Sequence, residues 1–105
     1  MAGVKVAYGA RFELVREQAE QGCVAYRVRC WTHHGECSTE AVVTLADGAV
    51  LVHPWEPAGA APAWAQQWVQ RLLRAEYRNL GERPADWPRR LTRWRQGPEL
   101  GDRNG

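Results

Sequence analysis

The spacing of apolar residues changes once along the chain, near residue 55, from a period of two to a period of about 3.6. Before this point, apolar and polar residues alternate in four short runs, at 11–17, 24–33, 37–45 and 49–53. Alternation of this kind is typical of β-strands that bury one face. Short turns separate the runs, so we expect a four-stranded antiparallel meander.

Alternation also predicts which side chains share a face of this sheet. The core face is expected to carry Phe12, Leu14, Val24, Tyr26, Val28, Cys30, Cys37, Thr39, Ala41, Val43 and Leu45. The opposite face is expected to carry Glu13, Arg27, Arg29, Trp31 and His33. A sheet with one apolar face needs a second layer to cover that face.

That second layer is predicted at residues 63–80, where apolar residues recur every three or four positions, as on one face of a helix. The apolar face contains Ala65, Trp68, Val69, Leu72, Leu73, Tyr77 and Leu80. Pro62 suits the first turn of a helix, and Gly81 suits the residue after its last turn. The sequence therefore predicts an α+β fold, in which the meander packs on one long C-terminal helix as a two-layer sandwich.

A second, shorter helix is predicted between Asp86, as its cap, and Gly97, where it ends. Trp87, Leu91 and Trp94 fall on one side of it at helical spacing. We therefore expect this side to pack against the rest of the domain.

The length of 105 residues suits one domain, which we assign to residues 1–97, with a short strand within 4–8. Residues 98–105 have nothing to bury and are predicted to be a disordered tail. Apolar residues make up 45% of the chain and charged residues 25%, as in ordinary soluble proteins. No apolar run is long enough to span a membrane, and the N-terminus lacks the apolar region of a secretory signal. We therefore expect a cytoplasmic protein with no membrane partner.

Positive charge is concentrated in the C-terminal third. The chain has thirteen arginines and a single lysine, a bias typical of GC-rich bacterial genomes, so the number of arginines alone indicates little. Residues 1–62 carry a net charge of −2, whereas residues 63–97 carry +5. This asymmetry indicates either a negatively charged partner or helix faces that are simply solvated. The candidate contacts to nucleic-acid phosphates are Arg71, Arg74, Arg78, Arg89, Arg90, Arg93 and Arg95.

Cys30, His33, His34 and Cys37 cluster around one predicted hairpin. Thiolate and imidazole groups bind zinc, but this spacing is not that of a zinc knuckle, and a second pair of ligands is missing. The cysteine count is odd, which favours reduced thiols in a cytoplasmic protein. We predict that these two cysteines and Cys23 are small apolar side chains in or near the core, with no metal and no cofactor.

Two arrangements could support catalysis. Cys37 with His33 or His34 would provide a nucleophile and a base, but no third group is placed to orient the base. Glu76 falls inside the apolar face of the long helix, where burial raises the pKa of a carboxyl group. A residue of this kind more often pairs with an arginine at the rim of the core. We therefore predict no catalytic activity and identify no small-molecule substrate.

The tryptophans divide into core residues and candidate contacts. Trp68, Trp87 and Trp94 are expected to pack in the core. The candidate partner-binding residues are Arg27, Arg29, Trp31 and Trp55. Arginine interleaved with tryptophan on a sheet face suits either stacking on nucleic-acid bases or a protein interface. Cross-strand neighbours that would neutralise part of this patch are Glu13, Glu17 and Glu40.

The predicted sheet backed by a C-terminal helix, with Tyr26, Arg27 and Arg29 on one strand, resembles the arrangement of AP2- and integrase-type DNA-binding domains. The resemblance covers this architecture and these three residues. Fold analogy of this extent assigns no role to any residue.

Two hypotheses about function remain open, and both describe a small cytoplasmic binding domain without catalytic activity. In the first, the C-terminal arginines contact nucleic-acid phosphates. In the second, the open sheet face or the Trp/Arg-rich C-terminus is a protein interface, as in an adaptor, a subunit or a homodimer. Arginine and tryptophan are favoured in both kinds of site, so composition does not separate the two.

Overall fold

A computed structural model of the protein describes residues 9–20 and 22–96, which form five antiparallel strands, one α-helix and one 3-10 turn. The strands are β1 (Gly9–Glu20), β2 (Cys23–Thr32), β3 (Gly35–Thr44), β4 (Val50–Val52) and β5 (Arg90–Gln96). The helix, α1, spans Ala65–Leu80, and the 3-10 turn spans Pro84–Asp86. The strands form one sheet in the order β4-β3-β2-β1-β5. The predicted α+β class and antiparallel sheet are confirmed.

The core lies between one face of this sheet and the apolar face of α1. The buried strand residues include Ala10, Phe12, Leu14, Val24, Tyr26, Val28, Cys30, Cys37, Thr39, Ala41, Val43, Val52 and Leu91. Ala65, Val69 and Leu73 of α1 are buried against them. Trp68 stacks on Phe12, with ring centroids 4.4 Å apart. The predicted core faces of the first three strands and of the helix are therefore confirmed.

The ends of these elements differ from the prediction by a few residues. Thr32 pairs with Gly35, so the tight turn between β2 and β3 consists of His33 and His34. Helix α1 begins at Ala65 rather than at residue 63. It ends as predicted at Leu80, and it is followed by Gly81, where φ is 74° and the N–H bonds to the carbonyl oxygen of Tyr77 at 2.8 Å.

The second helix predicted between Asp86 and Gly97 is wrong, because this part of the chain forms the strand β5 and pairs with β1. The register places Leu91 opposite Leu14 in the core. Trp94 pairs instead with Arg11 on the opposite face, and its side chain is exposed. The free edge of β1 explains the difference. Pairing with β5 satisfies N–H and C=O groups of β1 that would stay unpaired if β5 were a helix. The sheet consequently has five strands rather than four.

The hydrogen bonds of Arg16 and Tyr26 attach the segment before β5 to the sheet. The guanidinium of Arg16 donates a hydrogen bond to the carbonyl oxygen of Trp87 at 2.6 Å. The hydroxyl of Tyr26 donates one to the carbonyl oxygen of Pro88, also at 2.6 Å. The indole N–H of Trp87 bonds to the carbonyl oxygen of Gly81 at 3.1 Å. Trp87 is buried as predicted, although it lies before a strand and not in a helix.

Two predictions, the strand within 4–8 and the disordered tail at 98–105, lie outside the described residues. In the part of the chain that the structure describes, no helix is long and apolar enough to cross a membrane.

Candidate functional site

The seven arginines predicted to contact nucleic acid are divided between two elements of the fold. Those on the solvent side of α1 are Arg71, Arg74 and Arg78. Those at or beside β5 are Arg89, Arg90, Arg93 and Arg95. The register with β1 turns Arg90 to the face of the sheet away from α1, which we call the outer face, and turns Arg93 and Arg95 towards α1. The predicted arginine cluster on a second helix therefore does not exist.

Arg93 has a partner on α1, and Arg95 has a partner immediately before it. The guanidinium of Arg93 lies 3.7 Å from the carboxylate of Glu76, so this carboxylate pairs with an arginine at the rim of the core. The guanidinium of Arg95 lies over the ring of Trp64, 5.7 Å from its centroid. These contacts give both arginines a structural role in covering the edge of the core.

The outer face carries charges of both signs, and most of them are paired. The ion pairs are Arg27–Glu17 at 3.1 Å, Arg29–Glu36 at 3.3 Å, Arg90–Glu13 at 3.5 Å and, when the imidazole is protonated, His53–Glu40 at 3.9 Å. Each pair is at least partly exposed and contributes little to stability, but each also neutralises a cation. Two of the four predicted partner-binding residues, Arg27 and Arg29, are therefore compensated locally.

The exposed arginines of α1 differ in this respect. Arg71, Arg74 and Arg78 have no carboxylate within 4.0 Å among the residues that the structure describes. Their positions, three and four residues apart, place them in one line about 10 Å long on the helix surface. We call these three residues the arginine stripe. In the described structure, the stripe is a line of three positive charges without carboxylate partners on one helix face.

The two remaining candidate contacts, Trp31 and Trp55, have different surroundings. Trp31 lies on the outer face, where the guanidinium groups of Arg11 and Arg29 each lie 5.8 Å from its ring centroid. Trp55 lies in the segment between β4 and α1 and packs against the core. Its indole N–H is buried and has no hydrogen-bond partner among the described residues. Trp31 is available to a partner on the sheet face, whereas Trp55 is not part of that surface.

The thiols and imidazoles of the β2–β3 hairpin lie in different environments. Cys30 and Cys37 are directly opposite each other in the β2–β3 ladder, and both are buried and free. Burial raises the pKa of the Cys30 thiol to about 12 and also raises the pKa of Cys37, so neither is a ready nucleophile. His33 and His34 are exposed in the turn. No group of three metal ligands occurs within the described residues.

Sequence reasoning missed a row of three residues across the outer face. Arg11 of β1 pairs with Trp31 of β2 on one side and with Trp94 of β5 on the other. The position of Trp94 beside Arg11 depends on β5, and nothing in the local sequence indicates that strand. The row exists only because β5 pairs with β1.

Comparisons of this chain with models of protein families, with curated proteins and with solved structures find no match. The resemblance to AP2- and integrase-type domains therefore carries no argument about function.

Proposed function

We propose that this protein is a non-catalytic binding domain whose arginine stripe contacts the phosphate backbone of nucleic acid. One observation carries the proposal: the stripe arginines have no carboxylate partners in the described structure, whereas Arg27, Arg29, Arg90 and Arg93 all do. Three uncompensated cations in a line on a rigid helix provide a surface that attracts a polyanion.

Contact of this kind does not depend on base sequence. Guanidinium groups bind phosphate oxygens through charge-assisted hydrogen bonds, and phosphate contacts position a protein without reading bases. The stripe is formed by the solvent side of a helix whose other side is packed on the sheet. We therefore expect weak, salt-sensitive binding that is similar for all sequences.

The test is the affinity for a short DNA duplex at low salt, measured by fluorescence anisotropy. The double variant R74Q/R78Q removes two stripe charges, and we expect it to weaken binding by at least roughly tenfold. The matched control R27Q/R90Q removes the same charge from the outer face and is expected to bind like the unmodified protein. Binding weaker than about 10⁻⁴ M for the unmodified protein, or an equal loss in both variants, would contradict the proposal.

A second candidate function is self-association through the outer face. Leu51 is 60% exposed on edge strand β4 and lies beside Val42 in the ladder with β3. These two apolar side chains lie beside the unpaired edge of the sheet, where a strand of a second copy can pair. If this patch forms a homodimer, L51K should shift the protein from dimer to monomer in analytical ultracentrifugation. A monomer at every concentration would remove this candidate.

A further inference from the structure

The row of Trp94, Arg11 and Trp31 crosses three neighbouring strands at one end of the outer face. We call it the Trp–Arg–Trp row. Adjacent strands lie about 4.8 Å apart, so the backbones of the two tryptophans are separated by about 10 Å, with Arg11 between them. All three side chains point away from α1, because the neighbours of Arg11 along β1, Ala10 and Phe12, are buried in the core.

Trp94 is held in place on this face and still leaves much of its surface open. Its side chain is 49% exposed, yet Gly9 lies directly beneath it. A Cβ atom at Gly9 would lie 2.7 Å from Cζ2 of Trp94 and 2.6 Å from the carbonyl oxygen of Arg95. The absence of a side chain at Gly9 therefore allows the indole to rest on the backbone. The core does not need this arrangement, since Trp94 contributes nothing to it.

Arg11 is the uncompensated cation of the row. Its side chain is exposed, and its guanidinium lies 5.8 Å from the centroid of the Trp31 ring. Other outer-face arginines have carboxylate partners, but the described residues place none within 4.0 Å of Arg11. The row thus combines two aromatic surfaces with one free positive charge.

We propose that the Trp–Arg–Trp row binds single-stranded nucleic acid, with unpaired bases stacked on Trp94 and Trp31 and a phosphate bound by Arg11. Aromatic side chains on a sheet beside a cation are the elements with which proteins bind single strands without reading their sequence. A free cation between the rings favours a polyanion over a neutral peptide. The proposal takes its class of ligand from the proposed function, but it concerns the opposite side of the molecule.

The distinguishing property of this site is its preference for unpaired bases. The bases of a duplex are stacked on each other and cannot stack on indole rings. The arginine stripe, in contrast, meets phosphates in either form. The two surfaces therefore respond differently to the same pair of probes.

The test uses an oligothymidylate and a DNA duplex of similar length, with anisotropy measured at low salt. We expect W94L and W31A each to weaken binding of the oligothymidylate between about fivefold and about 150-fold, and to leave duplex binding unchanged. The leucine in W94L keeps an apolar cover over Gly9, and circular dichroism with a thermal melt confirms that each variant is folded. R11Q should weaken oligothymidylate binding. It should also make the slope of log affinity against log salt shallower by about one phosphate contact.

Each outcome decides between the two surfaces. Oligothymidylate binding that persists unchanged in W94L and W31A, or is absent from the unmodified protein, overturns this proposal. Loss in both tryptophan variants with normal duplex binding in R74Q/R78Q supports the row and contradicts the stripe. If W94L and W31A bind oligothymidylate normally while R74Q/R78Q loses duplex binding, nucleic acid binds at the arginine stripe and not at the row. A protein that instead dimerises through this face would show W94L as a monomer, which also overturns the proposal.

Discussion

The guanidinium of Arg16 faces the core side of β1 and donates hydrogen bonds to the carbonyl oxygens of Trp87 and Pro84, at 2.6 and 3.4 Å. Arg93, at the edge of the core, pairs with Glu76 instead. Arg74, on the solvent side of α1, has neither kind of partner among the described residues. The same side chain thus connects two segments, covers a core edge or remains free, depending on its neighbours. Only the last situation leaves charge for a ligand.

Neighbouring helix residues should respond to truncation in opposite ways. Leu73 is fully buried in the core, whereas Arg74 is exposed. We expect L73A to lower the free energy of unfolding by about 2–5 kcal/mol, because it removes apolar contacts and leaves a cavity. R74A should change it by about 0.5 kcal/mol or less. Urea unfolding measures both, and similar values for the two variants would contradict the packing of α1.

Tyr26 predicts a loss of stability at alkaline pH. Burial raises the pKa of its hydroxyl from 10.0 to about 12, against the opposing effect of nearby Arg16. The folded state therefore favours the neutral phenol. The contribution of this neutral phenol to the free energy of unfolding is complete below pH 10 and is lost as the pH rises towards 12. The loss is on the order of 2 kcal/mol.

Unfolding free energies measured between pH 9 and pH 12 check this expectation, with Y26F as the comparison. Y26F removes the ionisable hydroxyl, so the free energy of unfolding should fall less steeply between pH 10 and 12. The variant also loses the hydrogen bond to Pro88. The Cys30 thiol, whose pKa is raised by burial from 9.0 to about 12, contributes a remaining slope in both proteins. Identical slopes in the two proteins would show that Tyr26 is not buried as a neutral group.

Strand β5 marks the limit of what the sequence predicts about the elements. The first three strands and α1 were predictable because each buries a regular series of apolar side chains. In β5 the inward positions are Leu91, Arg93 and Arg95, so only one of the three is apolar. The strand forms because β1 offers it a free edge, which is a property of the tertiary structure. The Trp–Arg–Trp row was hidden for the same reason.

Hydrogen exchange distinguishes the observed strand from the predicted helix. As an edge strand, β5 pairs with β1 on one side only, so alternate amides along Arg90–Gln96 should be protected and those between them should exchange quickly. A helix would protect consecutive amides after its first turn. Protection of consecutive amides from Leu91 onwards would refute the five-stranded sheet.

The two layers of the fold present two unlike surfaces. The helix layer exposes the arginine stripe, while the outer face of the sheet carries mostly paired charges and, at one end, the Trp–Arg–Trp row. The net charge of +2 is a sum over the whole chain and does not show how charge is divided between the two surfaces. The segment charges located the positive side of the chain, but only the ion pairs of the folded protein show which arginines remain uncompensated.

The salt dependence of duplex binding reports on the arginine stripe, because the slope of log affinity against log salt counts phosphate contacts. Three stripe arginines predict that log affinity falls with log salt at a slope of about −3, and that R74Q/R78Q reduces this slope to about −1. The control R27Q/R90Q should retain the slope of the unmodified protein. A slope that is the same in R74Q/R78Q as in the unmodified protein would contradict the assignment of phosphate binding to the arginine stripe.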